Sequence, residues 1–359
     1  MPLTRREFVV GAVAVSAAVG GGSGASVAAE PCTAPAVSRL AMRGANLAGA
    51  EFGSKMPGIF GQDYIYPAAT DIEELRRLGF NTVRLPFRWE RLQPLLDGPF
   101  DAAEWQRLST AVSTIEAAGM RVVLDVHNFA RRRVAADGFA TDHLIGSEQV
   151  PTRSFVSFWS ELAQRFKTSP DVALGLMNEP YGIAATDWLP IVNATVAAIR
   201  ARGAQNLILV PGVAYTGAHS WLSSGNGAMA GVVDPGNNFA IEVHQYLDVD
   251  SSGTSAQTVS PTIGSQRIAA FQEWARQNGL RAFLGEFAAG NDATGRAALI
   301  DLMAEMERNG DVWIGWTAWA AGPWWPNDYI FRIGGSSPPD IYTRTLSEFA
   351  RGAKACGSR

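Results

Sequence analysis

The chain has 359 residues, of which 47% are hydrophobic and 18% are charged, as is ordinary for a globular protein. This length allows one large α/β barrel or two medium-sized domains. A net charge of −4 argues against a nucleic-acid partner, and the densest basic run, Arg131–Arg133, is too short for a binding patch. We interpret that run as a solvated loop face or a local set of substrate contacts.

The N-terminal residues carry the pattern of an export signal. Arg5 and Arg6 precede an apolar stretch, Val9–Val19, and the small residues Ser26–Ala29 offer a cleavage site. This pattern predicts a twin-arginine signal peptide over residues 1–29. The apolar stretch is shorter than the roughly 20 residues that a membrane span needs. We therefore expect an exported protein, periplasmic or extracellular, that has no membrane contact after cleavage; the alternative is a cytosolic N-terminal helix.

From Leu40 onward, short apolar runs alternate with amphipathic stretches. The eight predicted strands are Leu40–Leu47, Asn81–Pro86, Arg121–His127, Val172–Asn178, Asn206–Pro211, Phe239–Gln245, Arg281–Glu286 and Val312–Trp319. The helices predicted between them are Asp71–Leu78, Asp101–Ala118, Thr152–Phe166, Thr186–Arg202, Ser265–Asn278 and Thr294–Arg308. The stretch Asp248–Gly264 is rich in Ser, Thr and Gly and is predicted to be a long loop.

This alternation predicts an α/β fold, a single (β/α)8 TIM barrel over residues 30–359, because eight parallel strands can close on themselves. A doubly wound open sheet also fits the alternation, but Gly44–Gly49 after the first strand lacks the spacing of its phosphate loop. No linker leads to a second domain or a binding module. The two cysteines, Cys32 and Cys356, would lie near the joined ends of a barrel, where they could form a disulfide or remain two unrelated thiols.

Polar residues collect at the C-terminal ends of the predicted strands, where barrels carry their working residues. They are Arg84 at the end of the second strand, Asp125 and His127 at the end of the third, Asn178 and Glu179 at the end of the fourth, Glu242, His244 and Tyr246 at the end of the sixth, Glu286 at the end of the seventh and Trp319 at the end of the eighth. A purely structural role would favour Val or Ile at these positions.

Glu179 and Glu286 are the central pair. Strands four and seven lie on opposite sides of an eight-stranded barrel, so both carboxyl groups can reach over its mouth. Two carboxylates that converge on one cavity separate their pKa values through repulsion and burial. Glycoside hydrolysis requires this asymmetry, because one carboxyl group must donate a proton while the other attacks the sugar or stabilises its cation.

Several segments resemble glycoside hydrolase family 5. Residues 176–180, Leu-Met-Asn-Glu-Pro, resemble its Asn-Glu-Pro motif, and residues 284–287 resemble its nucleophile strand. The likeness covers nearly the whole mature chain and is closest to the endoglucanase branch; its further segments are residues 44–53, 63–67, 81–87, 124–131, 242–248 and 320–325. The resemblance implies Glu179 as the acid/base and Glu286 as the nucleophile, with no cofactor and no metal.

The resemblance also implies substrate-binding roles. Arg84 and Tyr246 would hold the nucleophile, Asn178 would bind the sugar 2-hydroxyl, His127 and His244 would line the cleavage subsite, and Trp319 would form its floor. The alternatives are a core ion pair for Arg84, packing for Tyr246, a structural hydrogen bond for His244, and for His127 a core position or, with Asp125, a metal site. Because adjacent strand residues face opposite sides, a local bend is needed for Asn178 and Glu179 to share a site.

Eleven tryptophans are many for this length. Trp319, Trp324 and Trp325 follow the last strand and are predicted to stack on sugar rings at the rim, where burial of one apolar face contributes about 1–2 kcal/mol. Trp89 and Trp221 would either extend the cleft or pack in the core, and Trp188 is a weaker candidate of the same kind. Trp105, Trp159 and Trp274 fall at helical spacing and are predicted to be core residues.

The sequence thus predicts a retaining endo-β-1,4-glucanase that acts by double displacement, with its carboxyl groups about 5 Å apart. The expected partner is a β-glucan polysaccharide or cello-oligosaccharide, bound by a monomer. The alternatives are a β-mannanase, xyloglucanase or mixed-linkage glucanase on the same site, a non-catalytic polysaccharide-binding barrel, and a metal-dependent hydrolase.

Overall fold

The computed structural model describes residues 40–136 and 139–352. The predicted signal peptide and both cysteines, Cys32 and Cys356, lie outside the described residues, so the signal and the disulfide stay predictions. In the described ranges, no helix combines the length and the apolar character needed to traverse a bilayer.

Eight parallel strands form a closed barrel, as predicted. They are β1 (Met42–Leu47), β2 (Thr82–Phe87), β3 (Arg121–Val126), β6 (Val172–Gly175), β7 (Ile208–Pro211), β8 (Phe239–Tyr246), β9 (Ala282–Ala288) and β10 (Trp313–Ala321). Around the barrel the order is β1, β10, β9, β8, β7, β6, β3, β2. The predicted strand bounds agree with the observed ones within three residues.

Helices surround this barrel. They are α1 (Ala69–Leu78), α2 (Trp89–Leu92), α3 (Ala102–Ala117), α4 (Thr152–Phe166), α5 (Ala185–Ala201), α6 (Ile263–Gln277), α7 (Ala293–Arg308) and α8 (Ile341–Ala350). All six predicted helices are confirmed within two residues. The single turn α2 and the C-terminal α8 were not predicted, although Asp340 caps α8 by accepting a hydrogen bond from Thr343 N at 2.7 Å.

The basic run Arg131–Arg133 belongs to a hairpin, formed by β4 (Arg131–Ala136) and β5 (Phe139–Leu144). The interpretation of this run as a solvated loop face was wrong, because the run forms a β-strand in which Arg132 is buried, and the alternative of local substrate contacts stays a prediction. Arg132 is buried and donates to the backbone carbonyl of Gln93, while Arg133 forms an ion pair with Asp142 across the hairpin at 2.9 Å. These cations satisfy backbone oxygens and a neighbouring carboxylate of the same protein.

The tryptophans Trp89, Trp188 and Trp221 are fully buried in the core. The hypothesis that they extend the cleft was therefore wrong. The indole N–H groups of two of them bond internally, Trp89 to Gln93 Oε1 at 2.8 Å and Trp188 to Pro211 O at 3.0 Å. A buried indole needs such a partner, and these partners lie within the fold rather than in a cleft.

The barrel interior is built in layers, because successive strand residues face opposite sides of a sheet. Its lower layer is apolar and takes one residue from each of six strands: Met42, Val123, Ala173, Leu209, Ala240 and Phe283. Two positions further along β3, β8 and β9 stand Asp125, Glu242 and Gly285. The layer of inward-facing residues above the apolar one therefore contains the carboxyl groups of Asp125 and Glu242, and it supports the residues at the barrel mouth.

Candidate active site

Arg84 stands at the centre of the polar layer, fully buried between three carboxylates. It pairs with Glu242 at 2.9 Å, Glu286 at 3.0 Å and Asp125 at 3.1 Å. Burial alone would lower the pKa of this guanidinium, but the three negative charges raise it above its ordinary value. Arg84 thus forms a core ion pair and also contacts the predicted nucleophile, and its role in holding that nucleophile stays a prediction.

Glu286 on β9 is held from two sides. Arg84 donates to Oε1 at 3.0 Å, and the hydroxyl of Tyr246 donates to Oε2 at 2.6 Å. Burial, together with the charge of Glu286, raises the pKa of Tyr246 well above its ordinary value, so the phenol keeps its proton. The two donors fix the orientation of the carboxyl group that is predicted to attack the sugar.

The backbone bends sharply at Glu179. β6 ends at Gly175, and Glu179 has a φ of 43°, in the left-handed region that side chains other than glycine rarely adopt. This bend is the one expected from the alternation of side chains, and it brings Asn178 and Glu179 to one site. Asn178 Oδ1 accepts from Arg84 at 2.9 Å, and Glu179 Oε1 lies 2.9 Å from His244 Nδ1.

The two glutamates converge on one point. A carboxylate oxygen of Glu179, one of Glu286 and a ring nitrogen of His244 all lie within 4.8 Å of one another. Each glutamate is 3% exposed, so both face a sheltered cleft. This separation fits the roughly 5 Å of a retaining glycosidase and is too short for the roughly 6.5–9.5 Å of an inverting one.

The same three residues could hold a metal ion by distance alone. Burial lowers the pKa of His244, but the charge of Glu286, the hydrogen bond to Glu179 and the nearby carboxylate of Glu242 raise it to about 9. The neighbouring carboxylates thus favour the protonated form of the His244 ring.

His127 belongs to a chain of hydrogen bonds beneath the mouth. Its Nδ1 lies 2.7 Å from Asp125 Oδ2, and Asn178 Nδ2 donates to its Nε2 at 3.2 Å. One ring nitrogen thus faces the Asp125 carboxylate and the other faces the Asn178 amide. It also stacks against Trp319, with the ring centroids 5.9 Å apart. His127 orients the amide of Asn178 and supports the wall formed by Trp319.

Aromatic rings form the rim after β10. Trp319 is half-buried and donates from Nε1 to the hydroxyl of Tyr329 at 2.9 Å. Trp325 stacks on Tyr329 with centroids 3.9 Å apart and contacts Phe52 edge-on at 4.9 Å. Trp324 is half-buried on the same loop. The three predicted rim tryptophans therefore lie on one flank of the mouth.

Several functional neighbours received no role from the sequence. Asn46 on β1 accepts from Arg84 at 2.9 Å and donates to Gly285 O at 2.9 Å. Glu242 is buried against Arg84, and Gly285 is required beside it because a Cβ there would lie 2.2 Å from Glu242 Oε1. The strand-end position of Glu242 was a signal for this contact. No sequence signal pointed to Asn46 or Gly285, because the residues that they contact are distant in the sequence.

A closed parallel barrel that brings two buried carboxyl groups within 4.8 Å over its mouth has the architecture of a glycoside hydrolase. The profile of the family described as cellulase (glycosyl hydrolase family 5) matches residues 41–322. The chain belongs to this family, and it is a glycoside hydrolase.

Similar proteins agree with this assignment. Endo-β-1,4-glucanase B of Emericella nidulans is 38% identical over 308 residues, which cover 85% of this chain and 89% of that protein. The crystal structure of an endo-β-1,4-glucanase from Xanthomonas axonopodis pv. citri has 45% identity and a TM-score of 0.82, with 88% of this chain and 100% of that chain covered. The complex of XacCel5A with cellopentaose has 44% identity and a TM-score of 0.81, with 87% and 99% covered.

Proposed function

We propose that the protein is a retaining endo-β-1,4-glucanase that cuts β-1,4-linked glucan chains internally, with Glu286 as nucleophile and Glu179 as acid/base. The observation that carries this proposal is the approach of their carboxyl oxygens to within 4.8 Å at the barrel mouth. That distance leaves no room for a water between the carboxylate and the sugar, so direct attack is favoured.

In the first step, Glu286 attacks the anomeric carbon while Glu179 protonates the departing oxygen. The pair of His244 and Glu179 holds a proton near neutral pH, and their 2.9 Å contact lets this proton move to Glu179 as the bond breaks. In the second step, Glu179 takes a proton from water, which attacks the glycosyl-enzyme and restores the β-configuration. Arg84 and Tyr246 hold the carboxyl group of Glu286 in position between cycles.

Cello-oligosaccharides are the substrates best supported, since the relatives are named endo-β-1,4-glucanases and one solved relative binds cellopentaose. Asn178, held by Arg84 and His127, would meet the sugar 2-hydroxyl, and Trp319 would form the floor of the cleavage subsite. We propose that the enzyme acts as a monomer.

The test compares Glu179→Gln and Glu286→Gln with Glu273→Gln, whose carboxylate lies exposed beside Arg276. On carboxymethyl-cellulose, each active-site variant should lose at least about 1000-fold in rate, while Glu273→Gln should keep the wild-type rate. NMR of the first product should show the β-anomer, and viscosity should fall before many reducing ends appear. Undiminished hydrolysis in either active-site variant would overturn the assignment, and faster turnover of galactomannan would reassign the substrate.

Residues 1–29 carry a separate proposal, that they export the folded enzyme through a twin-arginine pathway. The change of Arg5-Arg6 to Lys-Lys should leave hydrolase activity in the cytoplasm of a bacterial host that has this pathway. Cell fractionation with an activity assay measures the distribution. Equal export of both proteins would contradict the proposed signal.

A further inference from the structure

Glu242 on β8 is a buried carboxylate that the two-step mechanism does not use. It is 1% exposed and lies inside the barrel, one layer below His244, because residues two apart in a strand face the same side. Its Oε1 pairs with Arg84 Nε at 2.9 Å, whereas its buried Oε2 has no hydrogen-bond partner among the residues that the structure describes. A buried carboxylate with one unsatisfied oxygen destabilises a fold, so its presence points to a role in the site above it.

Glu242 holds the base of the Arg84 guanidinium. The nitrogens of this planar group reach different partners: Nε donates to Glu242, Nη1 to Glu286 Oε1 at 3.0 Å, and Nη2 to Asn178 Oδ1 at 2.9 Å. Asp125 contacts the group at Nη1, at 3.1 Å, and not at Nε. Because the guanidinium is rigid, the contact at Nε sets the direction in which both Nη atoms point. Glu242 therefore orients the cation that contacts the proposed nucleophile.

The same oxygen of Glu242 also faces the partner of the acid/base. It lies 3.6 Å from His244 Nε2, which is an electrostatic contact rather than a hydrogen bond. The other ring nitrogen, Nδ1, lies 2.9 Å from Glu179 Oε1 and 3.6 Å from Glu286 Oε2. The imidazole thus stands between Glu242 and the two catalytic carboxyl groups. A carboxylate behind the ring fixes the orientation of the nitrogen in front, as the aspartate does for the histidine of a catalytic triad.

Gly285, directly before the nucleophile, provides the space for the Glu242 side chain. A Cβ on Gly285 would lie 2.2 Å from Glu242 Oε1, so a larger residue would displace the carboxylate. At Gly285 the register between β8 and β9 shifts by one residue, so that His244 pairs with Glu286. Such bulges re-aim a side chain next to an active site. The distortion that directs Glu286 to the barrel mouth is thus the one that makes room for Glu242.

Side chains from other strands and loops fix the backbone around this carboxylate. Gly285 O accepts from Asn46 Nδ2 at 2.9 Å and from Thr317 Oγ1 at 2.7 Å. The carbonyl of Glu242 accepts from the Thr216 hydroxyl at 2.6 Å. Side-chain donors thus satisfy both backbone carbonyls at the place where the strand pairing is irregular. The contacts of Glu242 Oε1 therefore belong to the rigid interior of the barrel.

We infer that Glu242 is a positioning residue for both catalytic carboxyl groups, acting on Glu286 through Arg84 and on Glu179 through His244. This inference rests on the proposed function and deepens it, because it adds a residue that touches neither the substrate nor the reacting atoms. One buried oxygen then aligns the nucleophile and the acid/base with each other. Loss of its charge slows both the attack on the sugar and the protonation of the leaving oxygen.

The test is Glu242→Gln, which keeps the shape of the side chain and removes its charge, with two substrates. The leaving group of 2,4-dinitrophenyl β-cellobioside departs without a proton, so its kcat/KM reports the attack by Glu286. Cellotetraose needs both this attack and the proton from Glu179. We expect kcat/KM to fall about tenfold with the aryl substrate and about 100-fold with cellotetraose, because contacts between charged groups are lost on both paths.

Glu242→Asp is a second variant, which keeps the charge and draws it back by one methylene group. It should lose less activity than Glu242→Gln, again with a larger loss on cellotetraose than on the aryl substrate. If Glu242→Gln does not fold, this difference between the two substrates carries the test. A merely structural fault lowers both rates by the same factor, whereas a positioning role separates them.

A matched control is Glu104→Gln, because Glu104 on α3 is also a buried carboxylate, 2% exposed, and it pairs with Arg107 at 2.9 Å outside the barrel. Referred to the folded fraction measured by circular dichroism, its kcat/KM should equal that of wild type with both substrates. An unchanged rate of Glu242→Gln with either substrate, or an equal loss with both, would overturn the inference. Failure of the wild-type protein to hydrolyse the aryl substrate would instead overturn the proposed function, so the two failures are distinguishable.

Discussion

Glu51 provides a test of the electrostatics next to the active site. This carboxyl lies in the loop after β1 and is 8% exposed. Gly49 N donates to its Oε2 at 2.7 Å, whereas its buried Oε1 has no hydrogen-bond partner within the described part of the chain. Burial raises the pKa of Glu51 from 4.5 to about 7, against the opposing effect of His127.

The expected effect on stability follows from this pKa. Below pH 4.5 the carboxyl is protonated in both the folded and the unfolded protein, so it has no pH-dependent effect. Between pH 4.5 and about 7 the unfolded chain loses the proton first, and the folded state becomes less stable as the pH rises. Each pH unit between these two values destabilises the folded state by about 1.4 kcal/mol. The total loss of folding stability above pH 7 is therefore roughly 3 kcal/mol.

The substitution Glu51→Gln removes this titration and keeps an oxygen for Gly49 N. We expect the variant to match wild type near pH 4 and to be about 3 kcal/mol more stable at pH 8. For roughly 300 folded residues this corresponds to a melting temperature about 5 °C higher. Thermal denaturation of both proteins from pH 4 to pH 8 measures the difference. A difference that stays constant over this range would refute the assignment of a raised pKa to Glu51.

Two further substitutions test contacts around the nucleophile. Tyr246→Phe removes the 2.6 Å hydrogen bond to Glu286, a bond to a charged group worth about 1.5–3 kcal/mol, so kcat/KM should fall roughly 10- to 100-fold; an unchanged kcat/KM in steady-state kinetics would show that the contact is incidental. Gly285→Ala places a Cβ 2.2 Å from Glu242 Oε1, so the free energy of unfolding should fall by about 1–3 kcal/mol. The control Gly227→Ala, whose Cβ would have no neighbour closer than 3.9 Å, should change little, and an equal denaturation midpoint for the two variants would contradict the crowding argument.

Much of the fold was readable from the sequence because its signals are local. Alternating apolar runs and amphipathic stretches predicted the eight barrel strands and six of the helices. The polar residues at the strand ends could be identified directly from the sequence. The pair Glu179 and Glu286 was predicted for the same reason, because both follow barrel strands whose ends share one rim. The bend at Glu179 was also expected, since two adjacent residues could not otherwise face one site.

The tertiary structure alone decided which aromatic rings line the barrel mouth and which fill the core. Trp89, Trp188 and Trp221 lie in segments that follow barrel strands, yet they are buried, because their packing depends on contacts far apart in the chain. Local patterns determine the faces that each strand and helix presents, whereas burial, pKa and cavity shape arise only when distant segments meet.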